Sequence, residues 1–234
     1  MSAIAANLQA VNKRISAAAL AASRDPDTVA LLAVSKTFGA SDVIETAKAG
    51  QWAFGENYLQ EALEKMQSVR KFEPDLLLEW HFIGPMQSNK TRSVAEHFDW
   101  VHSVDREKIA QRLSEQRPAH LPPLNICLQV NISSETNKSG FAPDEAMRAA
   151  HVVAAMPGLR LRGLMAIPEP REDIEKQRVP FRRLREMLEA LKTQGLALDT
   201  LSMGMSADLE AAIMEGATIV RVGTAIFGRR DYEK

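Results

Sequence analysis

Ala30-Leu31-Leu32-Ala33-Val34-Ser35-Lys36-Thr37 is the stretch from which the fold can be read. Six apolar or small residues run without a breaker and end at a charge, the pattern of a strand buried on both faces in a parallel sheet. In α/β folds small molecules meet the chain outside the carboxyl ends of the strands, which is where Lys36 stands. Taken alone, the segment reads better as a strand closed by a solvated lysine. The neighbouring segments change that balance.

Working outward, strand-like segments at 30–35, 51–54, 79–83, 100–104, 125–132, 161–167, 199–203 and 218–222 alternate with helical patterns. The helices are expected at 41–49, 57–71, 88–97, 105–116, 143–155, 175–193 and 206–214. They follow an opening helix striped by Ile4, Leu8, Val11 and Ile15. Such alternation implies parallel strands with right-handed crossovers. Eight repeats in this length predict an α/β fold, a closed (β/α)8 TIM barrel with an extra N-terminal helix. An open doubly wound sheet is the competitor, because the second and fourth strands are weakly marked. Ser41, Ser88 and Asp105 are expected N-caps, and Gly50 and Gly195 expected helix stops. Pro168 and Pro170 open a charged loop over 169–176, read as solvated and without function.

The 234 residues are 45% hydrophobic and no low-complexity linker divides them, so a single domain over 1–234 is expected. With 29 basic and 30 acidic residues the net charge is -1, which gives no electrostatic ground for a nucleic-acid or membrane partner. Lys13 and Arg14 precede an alanine-rich run that is too short and weakly apolar for a signal peptide or a span. A cytoplasmic protein with a small ligand is expected. Cys127, inside an apolar run, reads as a buried small hydrophobe.

Strand alternation turns Leu32, Val34 and Lys36 to one face, and Ile219, Arg221 and Gly223 to one face of the last strand. Arg221 between Val220 and Val222 would be costly in a barrel unless a ligand or a structural carboxylate met it. Ser202-Met203-Gly204-Met205-Ser206 and Gly223-Thr224 follow the last two strands, where barrels of this kind bind phosphate. Small residues there let backbone N–H groups approach an anion, although ordinary turn chemistry would look the same. Together, a lysine amine, an interior arginine and a phosphate cradle suit pyridoxal 5'-phosphate held as a Schiff base on Lys36. Burial and the charge of Arg221 would both favour deprotonation of Lys36. Arg221 facing the pyridine nitrogen could only donate, leaving that nitrogen uncharged and the cofactor a weak electron sink.

Several longer motifs then resemble one family. Val34-Ser35-Lys36-Thr37, Phe54-Gly55-Glu56-Asn57-Tyr58, Trp80-His81-Phe82-Ile83-Gly84-Pro85, Gln87-Ser88-Asn89-Lys90, Gly163-Leu164-Met165, Ser202 to Ser206 and Arg221 to Gly228 are similar to those of the pyridoxal phosphate homeostasis protein family, the YggS/PROSC-like proteins. The resemblance implies a fold-type III barrel like the alanine racemase N-terminal domain. It implies cofactor on Lys36, phosphate near Ser202, Gly223 and Thr224, Arg221 at the ring nitrogen, and Asn57 and Met205 close by. It further implies buffering of the cofactor in vitamin B6 and amino-acid balance by a monomer without established catalysis, PLP-dependent apoenzymes being candidate recipients. Lys138 resembles a family lysine linked to cofactor transfer, with a solvated loop lysine as the plainer reading. Phe38-Gly39 departs from the Lys-Pro common after Ser-Lys-Thr, which removes any role for that loop lysine here.

A racemase needs a base on each face of the substrate carbon. Lys36 could serve one face. Racemases of this fold draw the other base, a tyrosine, from an additional domain not expected here, and Tyr58 and Tyr232 read as packing or surface residues. The expectation is therefore a carrier, with an amino-acid racemase as the alternative. A Schiff-base aldolase would need a nearby acid or base, for which His81, Glu79 and Glu56 are candidates and core or surface roles the simpler account.

Overall fold

A computed structural model describes residues 2–133, 135 and 138–228. Among the described residues eight parallel strands close in chain order into a barrel. They are β1 (Ala30–Val34), β2 (Ala53–Glu56), β3 (Glu79–Phe82), β4 (Trp100–Val104), β5 (Leu124–Gln129), β6 (Leu159–Met165), β7 (Thr200–Ser202) and β8 (Ile219–Val222). The open-sheet alternative falls because β8 pairs back to β1, with Leu32 opposite Arg221 and Ala33 opposite Val222. The helices are α1 (Ala3–Ala21), α2 (Ala40–Lys48), α3 (Leu59–Phe72), α4 (Thr91–His97), α5 (Glu107–Gln116), α6 (Pro143–Ala154), α7 (Ile174–Thr193), α8 (Leu209–Met214) and α9 (Thr224–Phe227).

The helix α1 is less an addition than a replacement. Among the described residues only the four-residue α9 follows β8, too short to cover a strand pair. The apolar stripe of α1 buries Leu8, Val11 and Ile15, and the helix packs against α8, α9 and α2, filling the eighth place in the outer ring.

The apolar residues form two shells. The larger lies between the strands and the helices; the smaller lies inside the barrel with Leu32, Ala53, Trp100, Cys127, Met165 and Ile219. Burial pushes the Cys127 thiol up to about 12, so it packs as an inert hydrophobe. Between β5 and β6 the register passes from Ile126–Leu161 to Cys127–Gly163, leaving Arg162 as a bulge residue. Its guanidinium stacks 4.7 Å from the Trp100 ring centre and pairs with Asp199 at 2.7 Å, plugging the amino-terminal end of the barrel.

Where element boundaries depart from those expected, polar residues are responsible. The strand expected at 51–54 runs instead from Ala53 to Glu56. Gln51 turns aside to donate to the carbonyls of Leu31 (2.8 Å) and Ala53 (2.7 Å), while Glu56 is buried by an ion pair rather than by apolar character. β5 stops at Gln129, after which Val130 bridges to Phe141. Ser41, Ser88 and Asp105 are not N-caps; those places belong to Gly39, Lys90 and Arg106. At α2 the Asp42 carboxylate accepts the Gly39 N–H at 2.9 Å, which moves the start two residues earlier. Gly50 (φ 103°) and Gly195 (φ 95°) do end helices in left-handed geometry. No described helix is long and apolar enough to cross a membrane.

A Cβ on Gly163 would lie 1.8 Å from the Thr200 carbonyl oxygen, so β6 and β7 could not keep their spacing. Gly163→Ala is expected to destabilise the fold by about 3 kcal/mol, measured by urea unfolding. Gly50→Ala meets nothing within 4 Å and carries only backbone strain, about 1–2 kcal/mol. Equal losses would refute the packing explanation.

Candidate functional site

A cavity of about 270 Å³ opens at the carboxyl ends of the strands. Its wall brings together Lys36, Asn57, Met205, Arg221, Gly223 and Thr224, six of the seven residues expected around a cofactor. Lys36 follows β1 by two residues and is half-buried. Asn57 follows β2, and its backbone sits so close to Gly84 that a Cβ there would lie 2.1 Å from the Asn57 carbonyl oxygen. The Asn57 Oδ1 is buried without a hydrogen-bond partner among the described residues. A buried acceptor left open on a cavity wall is a place for a ligand's donor.

Arg221 is 4% exposed. Its Nη2 donates to the Ala166 carbonyl at 2.9 Å and its Nη1 to Ser202 Oγ at 2.7 Å. Burial lowers its guanidinium to about 10, which still leaves it protonated at neutral pH and able only to donate.

Ser202, the seventh expected residue, lies one layer deeper. Its hydroxyl is fully buried beneath Arg221 and 2.7 Å from His102 Nδ1, off the cavity wall. The series continues from His102 Nε2 to His81 Nδ1 at 2.8 Å and from His81 Nε2 to Glu79 Oε1 at 2.7 Å. Since arginine only donates and a carboxylate only accepts, one direction satisfies every link. Arg221 donates to Ser202, Ser202 to His102, His102 to His81 and His81 to Glu79. Both imidazoles are then neutral, in agreement with burial, which lowers His81 and holds His102 well below its ordinary value. His81 is therefore a partner in the layer under the cavity, and Glu56 faces α3 on the outside of the barrel. His102 was missed in the sequence, although it alternates with Trp100 on one face of β4.

The two loops expected to cradle an anion are tied down from outside. Arg14 on α1 donates to the Ser206 carbonyl at 3.2 Å and pairs with Glu210, and Asn7 donates to the Ile226 carbonyl at 3.0 Å. The helix expected to begin after Ser206 begins at Leu209. Asp208 intervenes, accepting the Met205 N–H at 2.6 Å, and burial pushes its carboxyl up. Ser206 and Ala207 still line the cavity, as do Val34, Ile83 and Ile167, which strand-end position alone could have marked. Phe38 stacks on Phe227 with ring centres 4.9 Å apart, which gives the departing Phe38-Gly39 loop its packing role.

Lys138 lies outside this cavity. It lines an adjoining one of about 290 Å³ that shares Asn57, Ile83 and Ile167 as a common wall, and it pairs with Glu135 at 2.7 Å. Asn137 beside it and Tyr232 fall outside the described residues. Tyr58 is 53% exposed and does not line the cavity.

The family model for the alanine racemase N-terminal domain matches residues 1–231. A Pseudomonas aeruginosa protein named pyridoxal phosphate homeostasis protein is 64% identical over 99% of this chain and 98% of its own length. The Escherichia coli protein of that name is 53% identical over the whole of both chains. The chain belongs to the pyridoxal phosphate homeostasis protein family. Among solved structures, PipY of Synechococcus elongatus with PLP bound has a TM-score of 0.83 at 35% identity, covering 96% of this chain and 100% of that one. The Clostridium difficile alanine racemase, at 15% identity and a TM-score of 0.73 over 97% of this chain and 58% of its own, shares the fold.

The neutral histidines make stability depend on pH. In the unfolded chain each binds a proton near pH 6.5, whereas in the folded family member they remain neutral to lower pH. Unfolding therefore takes up protons, and stability falls as pH drops below about 6.5, by up to about 1.4 kcal/mol per pH unit for each histidine. His102→Asn should lose about 1–3 kcal/mol near neutral pH and show a shallower decline between about pH 6.5 and 5.5. Urea unfolding at each pH checks this; an unchanged slope would refute the neutral relay.

Proposed function

We propose that this family member binds pyridoxal 5'-phosphate with Lys36 as its covalent anchor and holds it without turnover, as a carrier in cofactor homeostasis. The observation that carries the reading is the meeting of Lys36, Arg221 and the open acceptor of Asn57 on one cavity wall. The residues fit the group: the Lys36 amine for an aldehyde, Arg221 as donor to a ring nitrogen, Asn57 Oδ1 as acceptor for a ring hydroxyl, and the 205–207 and 223–224 loops for the phosphate. Bound pyridoxal phosphate supplies an aldehyde that traps amines.

The chain's own residues favour holding over turnover. Among the described residues lining the cavity, Lys36 and Arg221 carry the only ionisable side chains. Arg221 stays protonated and donates, so one amine is left for proton transfer where racemisation needs a base on both faces. The same shortage counts against an aldolase, since His81 and Glu79 lie below the wall and Glu56 behind it. In this reading the protein works as a cytoplasmic monomer and passes its cargo to apoenzymes, with Lys138 across the shared wall as the candidate for transfer.

Intact mass after borohydride reduction is expected to show one cofactor adduct on the wild type and none on Lys36→Ala. An unmodified wild type that also fails to take up added cofactor would overturn the assignment. Turnover of any amino acid at enzyme-like rates, abolished by Lys36→Ala, would overturn the carrier reading. Arg221→Gln should weaken cofactor binding about 10- to 100-fold, the worth of a hydrogen bond from a charged donor, measured by equilibrium titration.

A further inference from the structure

Lys65 on α3 is a buried lysine that the cofactor cavity does not use, with a side chain only 3% exposed. Its Nζ donates to the Ser35 carbonyl at 2.7 Å, to Glu56 Oε1 at 2.5 Å and to Glu61 Oε1 at 3.0 Å. Glu61 Oε1 in turn accepts the Thr37 N–H at 2.7 Å, and Ser35 Oγ donates to Glu56 Oε1 at 2.6 Å. The Ser35 carbonyl and the Thr37 N–H belong to the two peptide groups that flank the Lys36 Cα. One ammonium and two carboxylates thus hold the backbone on both sides of the residue that enters the cavity.

Two features argue that this cluster serves geometry rather than stability. Thr37 has φ 71°, in the left-handed region, where a β-branched residue is an outlier worth about 1–3 kcal/mol that persists only when its surroundings over-determine it. The bond from Thr37 N–H to Glu61 is part of that determination. The buried pair is also incompletely satisfied, since Glu56 Oε2 has no hydrogen-bond partner among the described residues. Apolar residues of similar volume often stabilise a fold as well as a buried ion pair does, so core packing alone gives no reason for Lys65.

We propose that Lys65, acting through Glu56 and Glu61, is a positioning residue that sets the backbone of Lys36 so that its amine meets a bound aldehyde. The proposal rests on the reading of Lys36 as the anchor. Capture joins the Lys36 nitrogen to the aldehyde carbon with loss of water, a step whose rate depends on approach geometry. The hydrogen bonds of Lys65 go to Ser35, Glu56 and Glu61, not to Arg221, Asn57 or the 205–207 and 223–224 loops.

The test compares two ligands on the full chain: pyridoxal 5'-phosphate, which can be captured, and pyridoxine 5'-phosphate, whose alcohol cannot. Wild type, Glu61→Ala and the charge-neutral pair Glu56→Gln/Lys65→Met are used. Glu61 is 34% exposed, so its loss leaves the core intact, and the double variant avoids an unpaired buried charge. Stopped-flow absorbance is expected to show capture of pyridoxal phosphate slowed about 10- to 100-fold in both, as for a misplacement of about 1 Å. Affinity for pyridoxine phosphate should stay within about twofold. Unchanged capture, or a parallel loss for both ligands, would overturn the positioning role. Undiminished capture by Lys36→Ala would show instead that the anchor assignment had failed.

Discussion

Closure of the barrel between β1 and β8 is the constraint on which the rest depends. The parallel register that sets Leu32 opposite Arg221 puts the inward residues of the two strands at matching heights. Lys36 beyond one strand and Arg221 within the other must then reach the same cavity. An open sheet would have separated them by its full width. Closure also forces Arg221 into an interior whose lower level is apolar, where a lone cation would cost several kcal/mol. The bonds to Ser202 and Ala166 offset that penalty. Ser202 needs an acceptor for its own proton, which brings in His102, then His81, and Glu79 as the final acceptor. The polar layer across the barrel is the consequence of placing one arginine.

A second polar arrangement lies on the outer face of the barrel, at the ends of β1 and β2. Glu56 points outward from β2 to meet Lys65 of α3, and the pair reaches the ends of β1 through Ser35 and Thr37. The inner network orients the arginine from below and the outer one grips the lysine from behind. The two do not share a residue, so each cavity group has an independent support. Preorganisation of this kind removes the ordering of side chains from the binding step.

Regular alternation of strand-like and helix-like segments, with long apolar runs such as those of β1 and β5, was enough to expose the barrel although the second and fourth strands are weakly marked. The second strand ends two residues later than hydropathy suggests, since its last residues, Gly55 and Glu56, owe their burial to a close approach and an ion pair. Neither leaves a trace in hydropathy. Lys36, Arg221 and the small-residue loops were legible because a charge or a turn interrupts a buried pattern at a strand end. Ser202 lies one layer below the cavity wall, a depth that sequence does not reveal: a serine at a strand end looks the same whether its hydroxyl faces an anion or an arginine. His102 hid within an apolar strand, since nothing local to β4 announces the serine a hundred residues away with which it bonds.

If the cofactor is held as proposed, with its ring nitrogen at Arg221, the same geometry would keep its aldehyde quiet. A ring nitrogen that faces a donor with no acid to spare keeps its lone pair, and an uncharged ring withdraws few electrons from whatever is attached to it. Arg221 would have to surrender a proton to change this. Burial lowers the guanidinium to about 10, still above neutral pH, and the hydrogen-bond series behind it only accepts from the arginine, so it stays charged there. Of the other described residues lining the cavity, Val34, Ile83, Ile167 and Met205 cannot exchange a proton. Under the proposed reading, restraint would follow from a donor held protonated and from the lack of a second ionisable base among the described residues lining the cavity.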